Sequence, residues 1–176
     1  KLIKYYSLIN HSLIYDNKSI NRYKFANNFQ TKSSKDKELI ELKENIERIK
    51  NCELKKSSKN IVFSDGNPNA KIMIIGEGPG ANEDLEGMPF IGRAGQLLDK
   101  MLLAINLNRD NVYITNVVNY RPPENRNPSL DEIKRYLPFL TKHIEIINPK
   151  ILILLGSTAL NTIIGDQEVI SRARGK

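Results

Sequence analysis

The chain has 176 residues, 40% of them hydrophobic, which favours one domain of ordinary size with its own core. Its 27 Lys and Arg against 20 Asp and Glu give a net charge of +7, which suits either a polyanionic partner or a solvated, lysine-rich surface. Because Cys52 is its one cysteine, the chain alone supplies neither a disulfide framework nor a cysteine cluster for a metal. The opening residues do not fit a secretory signal, and no apolar run approaches the roughly 20 residues of a membrane span. We therefore expect an intracellular, cytoplasmic protein that does not use a membrane.

Residues 1–34 are predicted to form a weakly structured basic tail, because they are rich in Asn, Ser, Tyr and Lys and have no sustained apolar period. A basic arm that grips nucleic acid is the alternative for this segment. Residues 35–176 form the predicted domain. It begins with an amphipathic helix at residues 36–50, whose apolar side is Leu39, Ile40, Ile46 and Ile49. A short strand at residues 60–63 and a turn at residues 65–68 are expected next.

The rest of the chain is organised around residues 72–98. The apolar run at residues 72–75 has the length and bulk of a buried strand, and the glycine-rich residues 76–80 predict a sharp turn. An irregular loop is expected after the turn, and a helix is expected from Arg93. The apolar face of that helix is predicted to be Ala94, Leu97, Leu98, Met101, Leu102 and Ile105. A strand, a glycine turn, a loop and a helix in this order predict a pocket at the carboxyl end of the strand.

Two more strands, each followed by a helix, complete a predicted βαβαβα fold of the α/β class. The second strand is expected at residues 111–118, and a stiff, proline-rich loop follows at residues 121–128. Ser129 and Glu132 predict a capping box for the next helix, which Pro138 should kink. The predicted core face of that helix is Ile133, Leu137, Leu140, Ile144 and Ile147. The third strand, at residues 150–155, is continuously apolar like a core strand of a parallel sheet, and a short helix then runs to Gly165.

Four carboxylates crowd the loop after the first of these strands: Glu77, Glu83, Asp84 and Glu86. Carboxylates at the end of a strand can hold and polarise a water molecule or stabilise a developing cation. The alternative is that these acids cap or solvate the loop, and the cluster taken alone favours that alternative.

Phe90 and Asn116 are two further candidates for a binding site. Phe90 lies in a loop between Pro89 and Gly92, where it could stack on a planar ligand or plug the space under the loop. Asn116 lies near the end of the second strand, where its amide could tie down backbone or pair with a pyrimidine edge. The residues by themselves leave both choices open.

Three other patterns carry less weight. The glycines at residues 76–81 match the dinucleotide-binding fingerprint weakly, because that motif requires a helix that begins at the turn, and we expect the helix only at Arg93. His11 lies in the tail and His143 lies beside the apolar face of its helix, so both are expected to be surface residues. Neither lies at a strand end, where a catalytic imidazole would be expected. Ser157 is expected to cap a helix rather than act as a nucleophile, because no histidine accompanies it.

Together these segments resemble the uracil-DNA glycosylase superfamily, most closely its family 4. The resemblance runs from about Cys52 to Lys176 and is carried by GEGPGANEDLEGMPFIGRAGQLLD, VYITNVVNYRPPENRNP, EIKRYLPFL and INPKILILLG. Several motifs in the right order make this resemblance specific. The amino-terminal tail adds nothing to it.

The resemblance implies a three-layer α/β/α sandwich with a parallel sheet, and hydrolysis of the N-glycosidic bond of deoxyuridine in DNA. By position, Glu77 and Glu83 look like the acids that place the attacking water and balance a cationic sugar. Phe90 looks like the residue that stacks on uracil, and Asn116 looks like the amide that pairs with its edge. The backbone of Gly78, Pro79 and Gly80 would line the pocket. The implied partner is uracil-containing DNA, bound by a monomer.

The chain departs from the family pattern in two ways. Family 4 members usually hold an iron–sulfur cluster with four cysteines, of which Cys52 matches one, while Ile49, Tyr120 and Tyr136 stand at the other positions. We therefore expect no cluster, and we expect the tyrosines to fill that space. The family's histidine-proline segment, which follows a further strand, has no counterpart before Lys176. We expect a chain whose last strand is missing and whose activity is reduced or absent. The rivals are a non-catalytic DNA-binding remnant and a nucleotide-binding enzyme.

Overall fold

The computed structural model describes residues 34–165 and 169–173. The predicted basic tail and His11 therefore lie outside the described residues, apart from Ser34. The helices are α1 (Ser34–Glu47), α2 (Glu53–Ser57), α3 (Ala81–Glu86), α4 (Arg93–Ala104), α5 (Leu130–Ile147), α6 (Ser157–Ile164) and α7 (Ile170–Ala173). The strands are β1 (Asp65–Gly66), β2 (Ile72–Gly76), β3 (Val112–Asn116) and β4 (Ile151–Leu154).

The four strands form one mixed sheet in the order β1-β3-β2-β4. Strand β2 runs parallel to both β3 and β4, which confirms the three predicted parallel strands. Strand β1 pairs antiparallel with β3. The strand expected at residues 60–63 is wrong: those residues form no strand, and the short strand lies at Asp65–Gly66, where we expected a turn.

Helices cover both faces of the sheet, as the predicted α/β/α sandwich requires. Met73 and Ile75 of β2 pack on one face with residues of α1 and α5, whereas Ile74 packs on the other face with Leu98 and Leu102 of α4. Successive side chains of a strand point to opposite faces, so one apolar strand serves both layers. This alternation explains why the sequence of β2 is continuously apolar.

The apolar faces of α1 and α4 differ from the predicted ones. In α1, Ile40 is exposed, and Leu42 is buried in its place. In α4, Leu98 and Leu102 are buried, but three residues of the predicted face are more than half exposed: Leu97, Met101 and Ile105. The helix therefore buries a narrower stripe than its spacing of apolar residues predicts.

Strand β4 is an edge strand of the described sheet, which corrects the expectation of a buried core strand. Its neighbour on one side is β2, and Ile151 and Leu152 are 53% and 37% exposed. Periodicity did not separate a buried strand from an apolar edge strand, because both consist of a continuous apolar run.

Helix α5 begins with the predicted capping box, in which the Ser129 hydroxyl accepts from the Glu132 backbone N–H and the Glu132 carboxylate accepts from the Ser129 backbone N–H. Pro138 lies inside the helix. Of the predicted core face, Leu140 and Ile147 are buried. Ile133, Leu137 and Ile144 are partly exposed.

The expectation for His143 is wrong, because this residue of α5 is 2% exposed. Its Nε2 is 2.6 Å from the hydroxyl of Tyr113, and its ring stacks on Phe63 with 4.6 Å between centroids. Burial lowers the pKa of His143 to about 3. A neutral imidazole therefore ties α5 to β3 inside the core.

Within the described ranges, none of the helices is both long and apolar enough to cross a membrane.

Candidate active site

The carboxyl ends of β2 and β3 border an open cavity of about 430 Å³. The cavity is lined by Gly78, Gly80, Ala81, Asn82, Glu83, Phe90, Gly92, Arg93, Ala94, Asn116 and Asn125. Five of the seven site residues that the resemblance implied therefore line one cavity: Gly78, Gly80, Glu83, Phe90 and Asn116. Pro79 is buried next to them, and Glu77 lies outside this lining. Short helix α3 begins at Ala81, immediately after the turn, where we had expected an irregular loop.

Gly76 makes room for Phe90 and Asn116 to meet. Gly76 pairs with Asn116 across β2 and β3. A Cβ on Gly76 would lie 2.6 Å from Oδ1 of Asn116 and 2.8 Å from Cε2 of Phe90, closer than any real Cβ contact. Asn116 itself is 3% exposed, so its amide presents a fixed donor and acceptor at the cavity wall. The arrangement offers an aromatic face and an amide edge to one planar ligand.

Phe90 is held in an unusual backbone conformation. Its φ is 56°, in the left-handed region that residues other than glycine rarely adopt. A Cβ on Gly95 of α4 would overlap the Phe90 carbonyl oxygen, so the loop lies directly against that helix. Strained backbone of this kind persists only where surrounding contacts determine it, and it is frequent in binding sites.

Glu83 holds the same loop by its side chain. Its Oε1 accepts hydrogen bonds from the backbone N–H groups of Ile91, at 3.0 Å, and Gly92, at 2.7 Å. The carboxylate therefore fixes the loop just before α4 begins, and it borders the cavity at the same time.

Glu77 is bound differently. Its Oε2 accepts a hydrogen bond from the hydroxyl of Thr158 in α6. Residue 77 is partly exposed and directly follows β2, so its carboxylate lies between the strand end and α6. The Thr158 contact was not predicted, because the two residues lie far apart in the sequence.

The other two acids of the cluster have structural positions. Asp84 is 2% exposed, and its Oδ1 accepts from the backbone N–H groups of Lys59, at 2.9 Å, and Asn60, at 3.2 Å. Glu86 is exposed at the end of α3. The four carboxylates thus lie in different surroundings, which neither composition nor spacing could reveal.

Ser157 does not cap α6 as predicted. The cap residue is Gly156, and Ser157 is the first residue of the helix, with no side-chain capping bond.

The surroundings of Cys52 do not fit an iron–sulfur cluster. Cys52 is buried, and its Sγ is 3.4 Å from the hydroxyl of Tyr136. Tyr120 and Tyr136 are buried in the same core cluster, and Ile49 packs against it. Burial raises the pKa of Tyr120 to about 12 and raises the pKa of Tyr136 further, so both hydroxyls stay neutral. Four thiolates are the usual ligands of such a cluster, and one thiol among tyrosines is not an equivalent set. In the described part of the chain, no group of three or more His, Cys, Asp or Glu could hold a metal ion.

No sequence pattern singled out Arg109, which lies in a 3₁₀ turn (Arg109–Asn111) before β3. Its guanidinium pairs with Asp65 and Asp99. Burial alone would lower the pKa of Arg109, but hydrogen bonds and charges of the two carboxylates outweigh burial and raise it. The guanidinium also donates to the backbone of the loop that carries Phe90. An isolated Arg next to an Asp in the sequence does not predict such a contact.

Comparison with known proteins agrees with this geometry. The sequence profile of the uracil DNA glycosylase superfamily matches residues 63–175. The chain is similar to the type-4 uracil-DNA glycosylase of Sulfurisphaera tokodaii, with 45% identity over 78% of this chain and 65% of the relative. Similar enzymes of that name from Thermotoga maritima and Archaeoglobus fulgidus are 42% and 43% identical, over 78% and 74% of this chain and 73% and 68% of their own lengths. The matched part thus spans about two thirds of the length of these relatives.

Proposed function

The chain belongs to the uracil-DNA glycosylase superfamily, and we propose that it hydrolyses the N-glycosidic bond between uracil and deoxyribose in DNA. We assign this activity to a domain at residues 35–176. The products are free uracil and an abasic site, so the protein would act in base excision repair.

One observation carries the proposal: an aromatic ring and a buried amide meet over Gly76 at the edge of a cavity that a carboxylate also borders. Gly76 leaves the space that Phe90 and Asn116 occupy, and Glu83 lines the same cavity. A flipped pyrimidine needs a face to stack on and a polar edge to pair with, and both are present here. The similarity to type-4 uracil-DNA glycosylases supports this choice over other planar ligands.

In this proposal Phe90 stacks on uracil and the Asn116 amide pairs with its edge. The amide offers a donor to the uracil O4 and an acceptor to its N3–H. Cytosine has an amino group at position 4 and no N3–H. Its amino group would therefore face the amino group of the Asn116 amide, and two donors cannot pair. In this proposal the backbone of Gly78, Pro79 and Gly80 lines the pocket for the base, which the position of Gly78 and Gly80 at the cavity supports.

The two carboxylates would serve the reaction at the sugar. As the glycosidic bond breaks, its electron pair leaves with uracil and positive charge grows on the sugar. We propose that Glu77 orients the attacking water and that Thr158 orients Glu77, since the hydroxyl donates to that carboxylate. Glu83 would balance the cationic sugar while it fixes the Phe90 loop.

DNA is the proposed macromolecular partner, bound by a single copy of the chain. The net charge of +7 favours phosphate contacts that do not depend on sequence. Arg93, at the start of α4 on the cavity wall, is exposed and suited to a phosphate next to the flipped nucleotide.

We further propose that the reaction uses no iron–sulfur cluster. A buried contact between Cys52 and Tyr136 lies where the resemblance would put two of the cluster's four cysteines. Iron analysis of protein purified without oxygen tests this. We expect no stoichiometric iron, and Cys52→Ala should still release uracil. Iron bound in proportion to protein and lost in Cys52→Ala would contradict the proposal.

Release of uracil tests the proposed function directly. The purified chain is incubated with a labelled oligonucleotide that contains one uracil, and abasic sites are then cleaved with alkali. Oligonucleotides with cytosine or thymine at that position control for specificity. Glu77→Ala and Asn116→Ala are compared with Glu44→Ala, which removes an exposed carboxylate of α1 far from the cavity in sequence. Circular dichroism establishes that every variant is folded.

We expect scission at uracil alone, retained by Glu44→Ala and reduced at least about 100-fold by Glu77→Ala and Asn116→Ala, the usual scale for loss of a catalytic group. No scission from a folded chain would overturn the proposal. Binding of DNA without scission would instead favour a non-catalytic DNA-binding protein.

A further inference from the structure

The Arg109 guanidinium contacts the backbone of the loop that carries Phe90. Its Nη1 donates to the carbonyl oxygen of Pro89 at 3.1 Å, and its Nη2 donates to the carbonyl oxygen of Phe90. A planar guanidinium is suited to this double contact, because its donors form a rigid fork.

Two carboxylates hold the guanidinium in place. Nη1 is 2.6 Å from Oδ2 of Asp65 in β1, and Nε is 2.9 Å from Oδ1 of Asp99 in α4. The Arg109 side chain is 23% exposed, so solvent screens these pairs only in part. Arg109 thereby joins the sheet edge, helix α4 and the Phe90 loop through one side chain.

The Phe90 carbonyl has little freedom to move. It lies against Gly95, where a Cβ would overlap it, and its residue has a left-handed φ of 56°. Glu83 accepts from the N–H of Ile91, which belongs to the same peptide group as the Phe90 carbonyl, and from the N–H of Gly92. Arg109 and Glu83 therefore hold this one peptide group, Arg109 by its carbonyl oxygen and Glu83 by its N–H.

We propose that Arg109 is a positioning residue that sets the orientation of the Phe90 ring over the cavity. This inference rests on the proposed function, in which that ring stacks on uracil. Arg109 does not line the cavity, so it acts through Phe90 rather than on the substrate.

A double-mutant cycle tests the inference in the full chain. Arg109→Gln removes the fork, Arg109→Lys keeps the charge but not the fork, and Arg48→Gln is the control because Arg48 also pairs with a carboxylate, Glu44, on α1. Phe90→Ala and the double variant Arg109→Gln/Phe90→Ala complete the cycle. The kcat and KM of uracil release are measured for each folded variant.

We expect Phe90→Ala to lower kcat/KM by roughly 5- to 150-fold, the range of base stacking. Arg109→Gln should lower it about tenfold, because a misoriented ring loses part of that stacking. The double variant should then be no worse than Phe90→Ala alone, since residues that act through one group are not additive. The loss of log kcat/KM in Arg109→Lys should be more than half of the loss in Arg109→Gln. The kcat/KM of Arg48→Gln should equal that of the unsubstituted chain. Full additivity in the double variant would overturn the inference.

Fluorine NMR of protein labelled with 4-fluorophenylalanine gives a second test that needs no activity. The chain has 5 Phe residues, and Phe90→Leu assigns the signal of interest. We expect Arg109→Gln to shift or broaden the Phe90 signal while that of Phe139 in α5 is unchanged. An unchanged Phe90 signal would overturn the inference, whether or not the chain releases uracil. If the unsubstituted chain releases none but the Phe90 signal moves, the proposed function fails and the positioning contact stands.

Discussion

Gly76 and Asn116 are opposite each other in the register of β2 and β3, and the missing side chain of the glycine is the space that the Asn116 amide occupies. The ring of Phe90 enters the same space. One glycine therefore determines how closely the proposed stacking residue and the proposed pairing residue approach each other.

Gly76→Ala should remove uracil release while leaving a folded protein. The added methyl group would displace both the Phe90 ring and the Asn116 amide, and an error of about 1 Å in a reacting geometry can cost about 100-fold in rate. Overpacking should also lower the free energy of unfolding by about 1–3 kcal/mol. Single-turnover release and urea unfolding measure the two effects. A rate within threefold of the unsubstituted chain would mean that the meeting of Phe90 and Asn116 is not required.

Glu83→Gln and Glu83→Ala should separate the structural role of Glu83 from its charge. Gln keeps an oxygen that can accept from the backbone N–H groups of Ile91 and Gly92, whereas Ala leaves both without their acceptor. We expect Glu83→Ala to lower the free energy of unfolding by about 2–4 kcal/mol, and Glu83→Gln by about 1 kcal/mol or less. Unfolding in urea gives these values. Equal destabilisation by both variants would contradict the loop-holding role.

The rates of the same two variants report on charge. If the carboxylate balances a cationic sugar, Glu83→Gln should lower kcat at least about tenfold despite its intact loop. An unchanged kcat in Glu83→Gln would leave Glu83 with the structural role alone.

Thr158→Val should lower kcat about tenfold with little change in KM, because valine has a similar shape but cannot donate to Glu77. Thr158→Ser keeps a hydroxyl and should retain most of the rate. Steady-state kinetics on the uracil oligonucleotide distinguish the two. Equal rates for Val and Ser would show that the hydroxyl does not orient Glu77.

The buried His143 should make the protein less stable in acid. Its pKa falls from about 6.5 in the unfolded chain to about 3 in the folded protein, where burial disfavours the charge. The unfolded chain therefore binds more protons below about pH 6.5, and stability is lost as the pH falls, by up to about 1.4 kcal/mol per pH unit. His143→Phe should make the unfolding free energy flatter between pH 6.5 and 4.

Urea unfolding at a series of pH values measures this slope. His11→Gln is the control, since His11 is the other histidine of the chain. His143→Phe should also cost about 1–3 kcal/mol at neutral pH, because the Tyr113 hydroxyl loses its hydrogen bond to the imidazole. A slope identical to that of the unsubstituted chain would mean that His143 is protonated without unfolding.

Much of the fold was predictable because its signals are local. The apolar run before Gly76 predicted β2, the change of apolar period predicted a helix at Arg93, and Ser129 with Glu132 predicted the start of α5. Each of these signals depends on residues within about one or two turns of chain. The resemblance added the pairing of Phe90 with Asn116 at one cavity, which local patterns left open.

The tertiary structure decided what depends on contacts between distant residues. It placed β4 at an edge of the described sheet, buried His143 against Tyr113, and brought Glu83 and Arg109 to the same Phe90–Ile91 peptide group. An apolar run is the same in a central strand and in an edge strand, and a histidine is the same at a surface and in a core. The sequence alone determined the elements with strong local signals, such as β2, α4 and the start of α5, because periods and caps are short-range. The packing of the elements determined the environment of each side chain, because burial and hydrogen bonding depend on neighbours that the chain brings together only when it folds.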